Sequence, residues 1–354
     1  MITKFDTLRG AFEKLGVDGV YLTSKISHRY FLEFDNPDGA ILVTKNSIYA
    51  LEDSRYVETA TKRVGNFCSV ISPNKSFTES VNEIILAEGI KKLGIENYDL
   101  TLFQFERMKS SFKCELSYIN DTIIKMREVK SEKEISLIRE AQKITDRAYS
   151  YILGILSTKM TENDVACELE YFMRKNGAED KSFDTIAISG KKSSMPHGVP
   201  ENVTLQNGFL TMDFGATVEG YHSDMTRTVS IGKADEKMRL IYDTVLSAQL
   251  SALEFLRAGV SCKDADSVAR DIIDKSFKSK FSHSLGHGVG LEIHELPTLS
   301  QRSSGILVSG NVVSVEPGIY IPDFGGVRIE DLVVIRDNGC ENLTASTKEL
   351  IEIC

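Results

Sequence analysis

Of the six histidines in this chain of 354 residues, five lie between His197 and His294. Three of them share a glycine-rich stretch, His283-Ser-Leu-Gly-His287-Gly-Val-Gly-Leu-Glu-Ile-His294-Glu295. A lone histidine is usually structural, but three interleaved with glycines, which let the backbone approach closely, suggest metal ligands or proton carriers. Four carboxylates keep unusual company. Asp213 ends the apolar run Phe209-Leu-Thr-Met-Asp213, and Asp224 follows eleven residues later in Tyr221-His-Ser-Asp224-Met-Thr-Arg-Thr228, past a turn signal at Gly220. Glu316 ends Val312-Val-Ser-Val-Glu316, and Glu330 ends Gly325-Gly-Val-Arg-Ile-Glu330. Acidic residues normally sit among polar ones, so four flanked by Met, Phe, Val, Ile and Gly point to a semi-buried site that uses their charge. Two antiparallel strands could put Asp213 and Asp224 on one face.

Together these residue types read as a metal centre. Four carboxylates and one neutral imidazole carry a formal charge of −4, which two divalent cations cancel and one does not. Oxygen-dominated coordination with a single imidazole suits Mn2+ or a similar borderline ion better than a thiolate-type zinc site. A pair of such ions activates water and clamps a tetrahedral intermediate, which is hydrolytic chemistry. The six cysteines, Cys68, Cys114, Cys167, Cys262, Cys340 and Cys354, contain no CxxC pair and read as buried or free thiols in a reducing compartment. His28 and His222 read as structural.

The elements that must hold these residues show in the hydrophobic patterning. Ser131 and Glu134 form a capping box, and Ile135, Ile138, Ala141, Ile144, Ala148 and Ile152 follow at helical spacing. Thr161 and Asp164 open a second helix that Asn176-Gly177 ends. From Ser182 the texture is β-rich with frequent glycine, interrupted by helices predicted over 238–256 and 264–277. The order helix, helix, strands thus occurs twice, over 131–231 and 238–335, a hint of internal symmetry without a residue-level repeat. Residues 126–354 should therefore pair four helices with a curved, mostly antiparallel sheet. Residues 1–125 should form a separate α/β domain. There Leu8, Ala11, Phe12 and Leu15 predict a helix over 5–15 stopped by Gly16. Strands are expected over 19–22, 40–43, 48–51, 70–71, 93–95 and 114–118, with helices over 80–87 and 102–110. The polar stretch 126–131 reads as the linker.

Composition narrows the function classes. Acidic residues outnumber basic ones by 51 to 42, giving a charge of −9 without a Lys/Arg block, which argues against nucleic acid as a partner. No apolar run approaches the roughly 18 residues that span a bilayer. The segment Met1-Ile2-Thr3-Lys4-Phe5-Asp6 has no signal-peptide character, so a soluble cytoplasmic protein with no membrane partner is expected.

Asp213, Asp224, His287, Glu316 and Glu330, in this order and with these flanks, resemble the metal-ligand set of the pita-bread metallopeptidases, the family of methionine aminopeptidases, aminopeptidase P and prolidase. The segments Asp-Phe-Gly, Ser-Asp-Met-Thr-Arg-Thr, Gly-His-Gly-Val-Gly-Leu and Glu-Pro-Gly-Ile-Tyr carry the resemblance, which spans nearly the whole chain. It implies a pseudo-two-fold catalytic domain with two divalent ions per subunit, Mn2+ by expectation and Co2+ or Zn2+ as alternatives. Asp213 would chelate one ion, His287 and Glu316 the other, and Asp224 and Glu330 would bridge both. By the same resemblance His197 would assist proton transfer on the substrate side, and His294 would contact the scissile carbonyl and stabilise the oxyanion. His283 would line the specificity pocket, and Glu316 would also serve as general base. Arg328, two residues before Glu330 and so on the same strand face, should pair with a ligand carboxylate.

The N-terminal domain, including Glu52-Asp53-Ser-Arg-Tyr56, resembles that of creatinase and prolidase, which implies cleavage next to proline. Creatinase lacks the complete ligand set, and all five positions are filled here. Aminopeptidase P removes the residue before proline from longer peptides. Prolidase accepts only the dipeptide, in some members with a basic residue for the free carboxylate. Thr298 stands where some dipeptidases have Arg, so an Xaa-Pro aminopeptidase is expected. The alternative is an Xaa-Pro dipeptidase, with Arg302 close enough in sequence to substitute, and a remote one is a non-catalytic binding module of the same fold. The resemblance also implies a homodimer whose substrates are short peptides with proline in second position.

Overall fold

The computed structural model of the chain describes residues 3–35, 38–73 and 76–354, so Met1 and Ile2 of the N-terminal segment lie outside the described residues. The chain divides into two compact units, Met1–Met126 and Arg127–Cys354, each with its own apolar core.

The first unit opens with α1 (Lys4–Gly10) and α2 (Phe12–Leu15) and runs through β1 (Gly19–Leu22), α3 (Lys25–Leu32), β2 (Ala40–Thr44), β3 (Ile48–Leu51) and α4 (Val57–Val64). It continues with β4 (Ser69–Ile71), α5 (Phe77–Glu88), β5 (Lys92–Ile95), α6 (Leu102–Ser111), β6 (Glu115–Tyr118) and α7 (Asn120–Glu128), whose last two residues, Arg127 and Glu128, already belong to the second unit. The strands make one mixed sheet, ordered β4-β3-β2-β1-β5-β6. The single helix expected over 5–15 is broken at Ala11, whose N–H bonds to the Leu8 and Arg9 carbonyls, and Gly16 ends α2 in the left-handed conformation at φ 64°. Helices α3, α4 and α7 were not expected, and α7 covers the first three residues of the stretch read as a linker.

In the second unit α8 (Glu132–Ile155) and α9 (Glu162–Lys175) precede β7 (Asp180–Lys181), β8 (Ile186–Ser189), β9 (Gly208–Phe214), β10 (Ala216–Val218), β11 (Tyr221–His222) and β12 (Met225–Ile231). Then α10 (Glu236–Phe255) and α11 (Cys262–Ser276) precede β13 (Gly286–Gly288), β14 (Glu295–Leu299), β15 (Val312–Val315), β16 (Gly318–Ile321), β17 (Gly325–Arg328), β18 (Asp331–Arg336), β19 (Gly339–Asn342) and β20 (Glu352–Ile353). The order helix, helix, strands does recur, and local details follow it. Thr161 caps α9 and bridges to Thr204, while Ser261 caps α11 and bridges to Ile306. The ladders are antiparallel except where β20 joins β12.

Strand periodicity decides what faces where. In β9, Leu210, Met212 and Phe214 pack with Ile152 and Leu169 from α8 and α9. Successive side chains point to opposite faces, so Thr211 and Asp213 turn away from those helices. Their register partners on β12 are Thr228 and Thr226, which therefore share that face. In the other half Val313, Val315, Val333 and Ile335 pack with Ile241, Val245 and Ile273 from α10 and α11, leaving Ser314 on the opposite face. The faces away from the helices carry Thr211, Asp213, Thr226, Thr228 and Ser314 among buried apolar residues such as Val312, Leu332 and Val334, and the site is built there.

Candidate metal centre

Each expected ligand sits at or beside a strand end, where the ladder stops and a side chain can leave the plane of the sheet. Asp213 is the penultimate residue of β9, Asp224 lies between β11 and β12, and His287 is the middle residue of β13. Glu316 follows β15, and Glu330 lies between β17 and β18. Asp224, His287 and Glu330 each bring one ligand atom within 4.8 Å of the others. His287 Nε2 is 3.6 Å from Asp224 Oδ2 and 3.3 Å from Glu316 Oε1. Gly286 allows this approach, because a Cβ there would lie 1.9 Å from the Ser314 carbonyl oxygen. The Ser314 hydroxyl accepts from the His287 N–H and donates to Glu316 Oε1, both at 3.1 Å, which ties the two residues together.

Other bonds fix the orientation of the set. His287 Nδ1 lies 3.1 Å from the Gly288 carbonyl, so it carries the proton there and leaves Nε2 turned toward the carboxylates. Thr226 donates its hydroxyl to Glu330 Oε2 at 2.7 Å and accepts from Arg328 Nε at 2.9 Å. Arg328 in turn bonds Asp213 Oδ2 at 2.6 Å and the Tyr320 hydroxyl at 2.9 Å. The remaining Asp213 oxygen, Oδ1, is buried without a hydrogen-bond partner.

The charges of the set act strongly on one another. Burial, then repulsion by Asp213, pushes the Asp224 carboxyl well above its ordinary range; burial, then repulsion by Asp224, does the same to Glu330. Burial also raises Asp213 against the pull of Arg328. Burial would raise Glu316 too, but the hydrogen bond and charge of His287 outweigh it and bring it down to about 2. Burial would lower His287, but Glu316 and then Asp224 raise it to about 9. Without cations the imidazole takes a proton to offset the carboxylates. Converging carboxylates, a buried orphan oxygen on Asp213 and an imidazole with Nε2 aimed inward form a donor set that fits hard or borderline divalent cations.

The remaining histidines differ in their surroundings. The His294 ring lies 4.3 Å from that of His287 and is exposed, and burial of part of the ring with the charge of His287 lowers its pKa. His283 donates from Nδ1 to the Ser284 carbonyl at 2.9 Å, so Tyr320 donates its hydroxyl to Nε2 at 2.8 Å. His197 is exposed and follows Pro196, whose carbonyl accepts from Arg328 Nη1 at 3.4 Å. His222 bonds Thr217 Oγ1 at 3.2 Å, and His28 in the first unit is fully buried. Thr298 is the register partner of His287 and shares its face. Arg302 stands four residues further, exposed, and among the described residues it makes no bond to the ligand group. Thr226, Ser314 and Tyr320 had no expected role. Only the register of β12 on β9 and the Glu-Pro-Gly-Ile-Tyr320 segment could have flagged them.

Residues 136–337 match metallopeptidase family M24, and residues 4–129 match the creatinase/prolidase N-terminal domain. An Xaa-Pro dipeptidase of Pyrococcus horikoshii is 40% identical over 343 residues, 96% of each chain. Among solved structures, an Xaa-Pro dipeptidase from Bacillus anthracis superposes with a TM-score of 0.96 at 40% identity, covering 99% of both chains. An X-Pro aminopeptidase from Thermotoga maritima gives 0.92 at 36% identity, covering 97% of this chain and 100% of that one. A pita-bread unit of this topology with a metal-type donor set at its strand ends, matched over most of its length, assigns the chain: it belongs to metallopeptidase family M24, with a creatinase/prolidase N-terminal domain, and is a metallo-exopeptidase.

Proposed function

We propose that this enzyme hydrolyses the bond between an N-terminal residue and a following proline, with the free Xaa-Pro dipeptide as its main substrate. The observation that carries the reading is the convergence of Asp224, His287 and Glu330 within 4.8 Å, beside an unpartnered Asp213 oxygen. Near-full-length similarity to Xaa-Pro dipeptidases supports the dipeptide over the aminopeptidase expected from Thr298. The likeness to an X-Pro aminopeptidase and Thr298, which offers no positive charge for a free carboxylate, favour the aminopeptidase as a second reading.

Asp213, Asp224, His287, Glu316 and Glu330 would hold two divalent cations, Mn2+ by the donor chemistry, which when bound polarise the carbonyl and activate water. Glu316, tied to His287 through the Ser314 hydroxyl, would take a proton from the attacking water and deliver it to the leaving nitrogen. His294, with its pKa lowered, is a neutral imidazole at pH 7 and offers one N–H to the oxygen on which negative charge develops. His283 has both nitrogens occupied, so it forms a fixed wall of the site and does not carry protons. His197 lies on the exposed side and assists proton transfer there.

The test is a mass-spectrometric digest of Ala-Pro, Ala-Pro-Ala and Ala-Ala-Ala after chelation, with and without added Mn2+. Cleavage of Ala-Pro alone, and only with metal, is the expected result. Loss of the first residue from Ala-Pro-Ala would make the enzyme an aminopeptidase, and no cleavage of any peptide would favour a binding module. The reading includes a homodimer in the cytoplasm; among the described residues no helix is long and apolar enough to cross a membrane. A monomeric mass in sedimentation at micromolar concentration would remove the dimer.

A further inference from the structure

Next to His294 lie four charged side chains for which the chemistry above has no use. Arg127, where the second unit begins, sets Nη2 2.6 Å from Glu292 Oε2 and also bonds Glu295 Oε1. Lys130 Nζ lies 3.0 Å from Glu295 Oε2, and the Glu292 N–H donates to Glu295 Oε1 at 3.0 Å. The side chains of Arg127, Lys130 and Glu295 are only 4%, 2% and 5% exposed. Removing charges from water is costly, so such a group persists only when balanced and well placed; here two cations meet two carboxylates. The chain also leaves room for it, because a Cβ on Gly290 would lie 2.6 Å from Glu295 Oε2.

What this group holds is the beginning of β14. His287 faces Thr298 across the ladder, but the next residue, Gly288, faces Glu295, so Leu296 and Pro297 are left over in a bulge. The bulge disrupts the ladder next to His294, where a fixed ring is needed. Among the described residues the His294 ring forms no hydrogen bond of its own. Its place beside His287 is therefore set by its neighbour in the chain, Glu295. We propose that Arg127 and Lys130 are positioning residues that fix His294 over the metal centre by anchoring the Glu295 carboxylate. One nitrogen of Arg127, Nη2, reaches both carboxylates, while Nε and Nη1 are buried without a hydrogen-bond partner among the described residues, so the anchor acts through that single nitrogen and the charge behind it. The proposal rests on the reading of His294 as the group at the scissile carbonyl.

The test is a double-mutant cycle with Arg127→Leu and His294→Gln in the full-length, Mn2+-loaded enzyme. It reads kcat and KM for Ala-Pro, Mn2+ affinity by calorimetry, and the melting temperature. Arg127→Leu should lower kcat by about tenfold or more while KM and Mn2+ affinity change little. It should add almost nothing in the His294→Gln background, because the two changes act on one group. Arg127→Lys should recover part of the loss. Unchanged kcat in a folded Arg127→Leu protein, or losses that simply multiply in the double variant, would overturn the proposal. If Arg127→Leu does not fold, Glu295→Gln, which keeps volume and removes charge, replaces it in the same cycle. Failure of the wild type to cleave any of the three peptides would sink the Xaa-Pro reading instead. The anchor is then read from the imidazole 15N resonances of His294, which shift in Arg127→Leu if Arg127 positions the ring and stay in place if it does not.

Discussion

At the scale of single residues, Thr226 concentrates a large effect in one hydroxyl. It lies opposite Asp213 on the paired strand, donates to Glu330 and accepts from Arg328, which itself holds Asp213. Valine has the same shape without the hydroxyl, so Thr226→Val leaves both the Glu330 carboxylate and an Arg328 N–H short of a partner. Mn2+ affinity should fall by roughly tenfold or more with little change in fold. Isothermal titration checks this, and an unchanged affinity would show that Glu330 needs no support from β12. Asp224→Ala, which deletes a proposed bridging carboxylate, should abolish metal-dependent turnover altogether. The contrast between these residues explains what the sequence could reveal. Asp224 and Glu330 stand out because carboxylates among apolar residues are anomalous, whereas a threonine in a strand is what β-propensity alone would place there. Tyr320 and Ser314 are hidden for the same reason: their function lies in a partner distant along the chain.

At the scale of elements, legibility followed the length of the periodic signal. Helix α8, with ten buried positions and a capping box, could be read from Ser131 onward, whereas α4 buries only Ala60 and Val64 and offers too short a stripe. Helix α3 was marked by Ser24, which caps it through the Ser27 N–H, but its eight residues carry too few repeats to set a period. One strand end carries a prediction. Glu52 follows β3 with both carboxylate oxygens buried and unpartnered, and burial pushes its pKa up to about 7. The unfolded chain releases this proton near the ordinary value of 4.5, so between there and pH 7 the folded state binds more protons. Stability is therefore intact at low pH and falls as pH rises through that window, by at most about 3 kcal/mol. Glu52→Gln removes the titration. Its melting temperature should exceed the wild type's at pH 8, and the difference should vanish at pH 4. A difference of the same size at both pH values would assign the effect to packing rather than ionisation.

At the scale of the whole second unit, the site joins two halves that each have their own core. Asp213 and Asp224 come from the half built on α8 and α9, while His287, Glu316 and Glu330 come from the half built on α10 and α11. Buried Arg227 backs the joint, since it leaves β12 to donate to the Glu330 carbonyl, the Asp331 carboxylate and the Ser346 and Thr347 carbonyls. Without cations the two halves meet through carboxylates whose pKa values are raised by burial and then by mutual repulsion. A cation bound by donors from both halves turns that repulsion into attraction, and it binds only the folded state. Metal at 100 times its dissociation constant then adds about 2.7 kcal/mol per site, so the melting temperature should climb with Mn2+ concentration and drop on chelation. Hydrogen exchange should slow in β9 and β12 as well as in β13, β15 and β18, because the constraint acts across the joint. Asp224→Ala should lose most of the Mn2+-dependent rise. An equal rise in that variant would mean that Mn2+ acts on the net charge of −9 in general and not through a centre shared by the two halves.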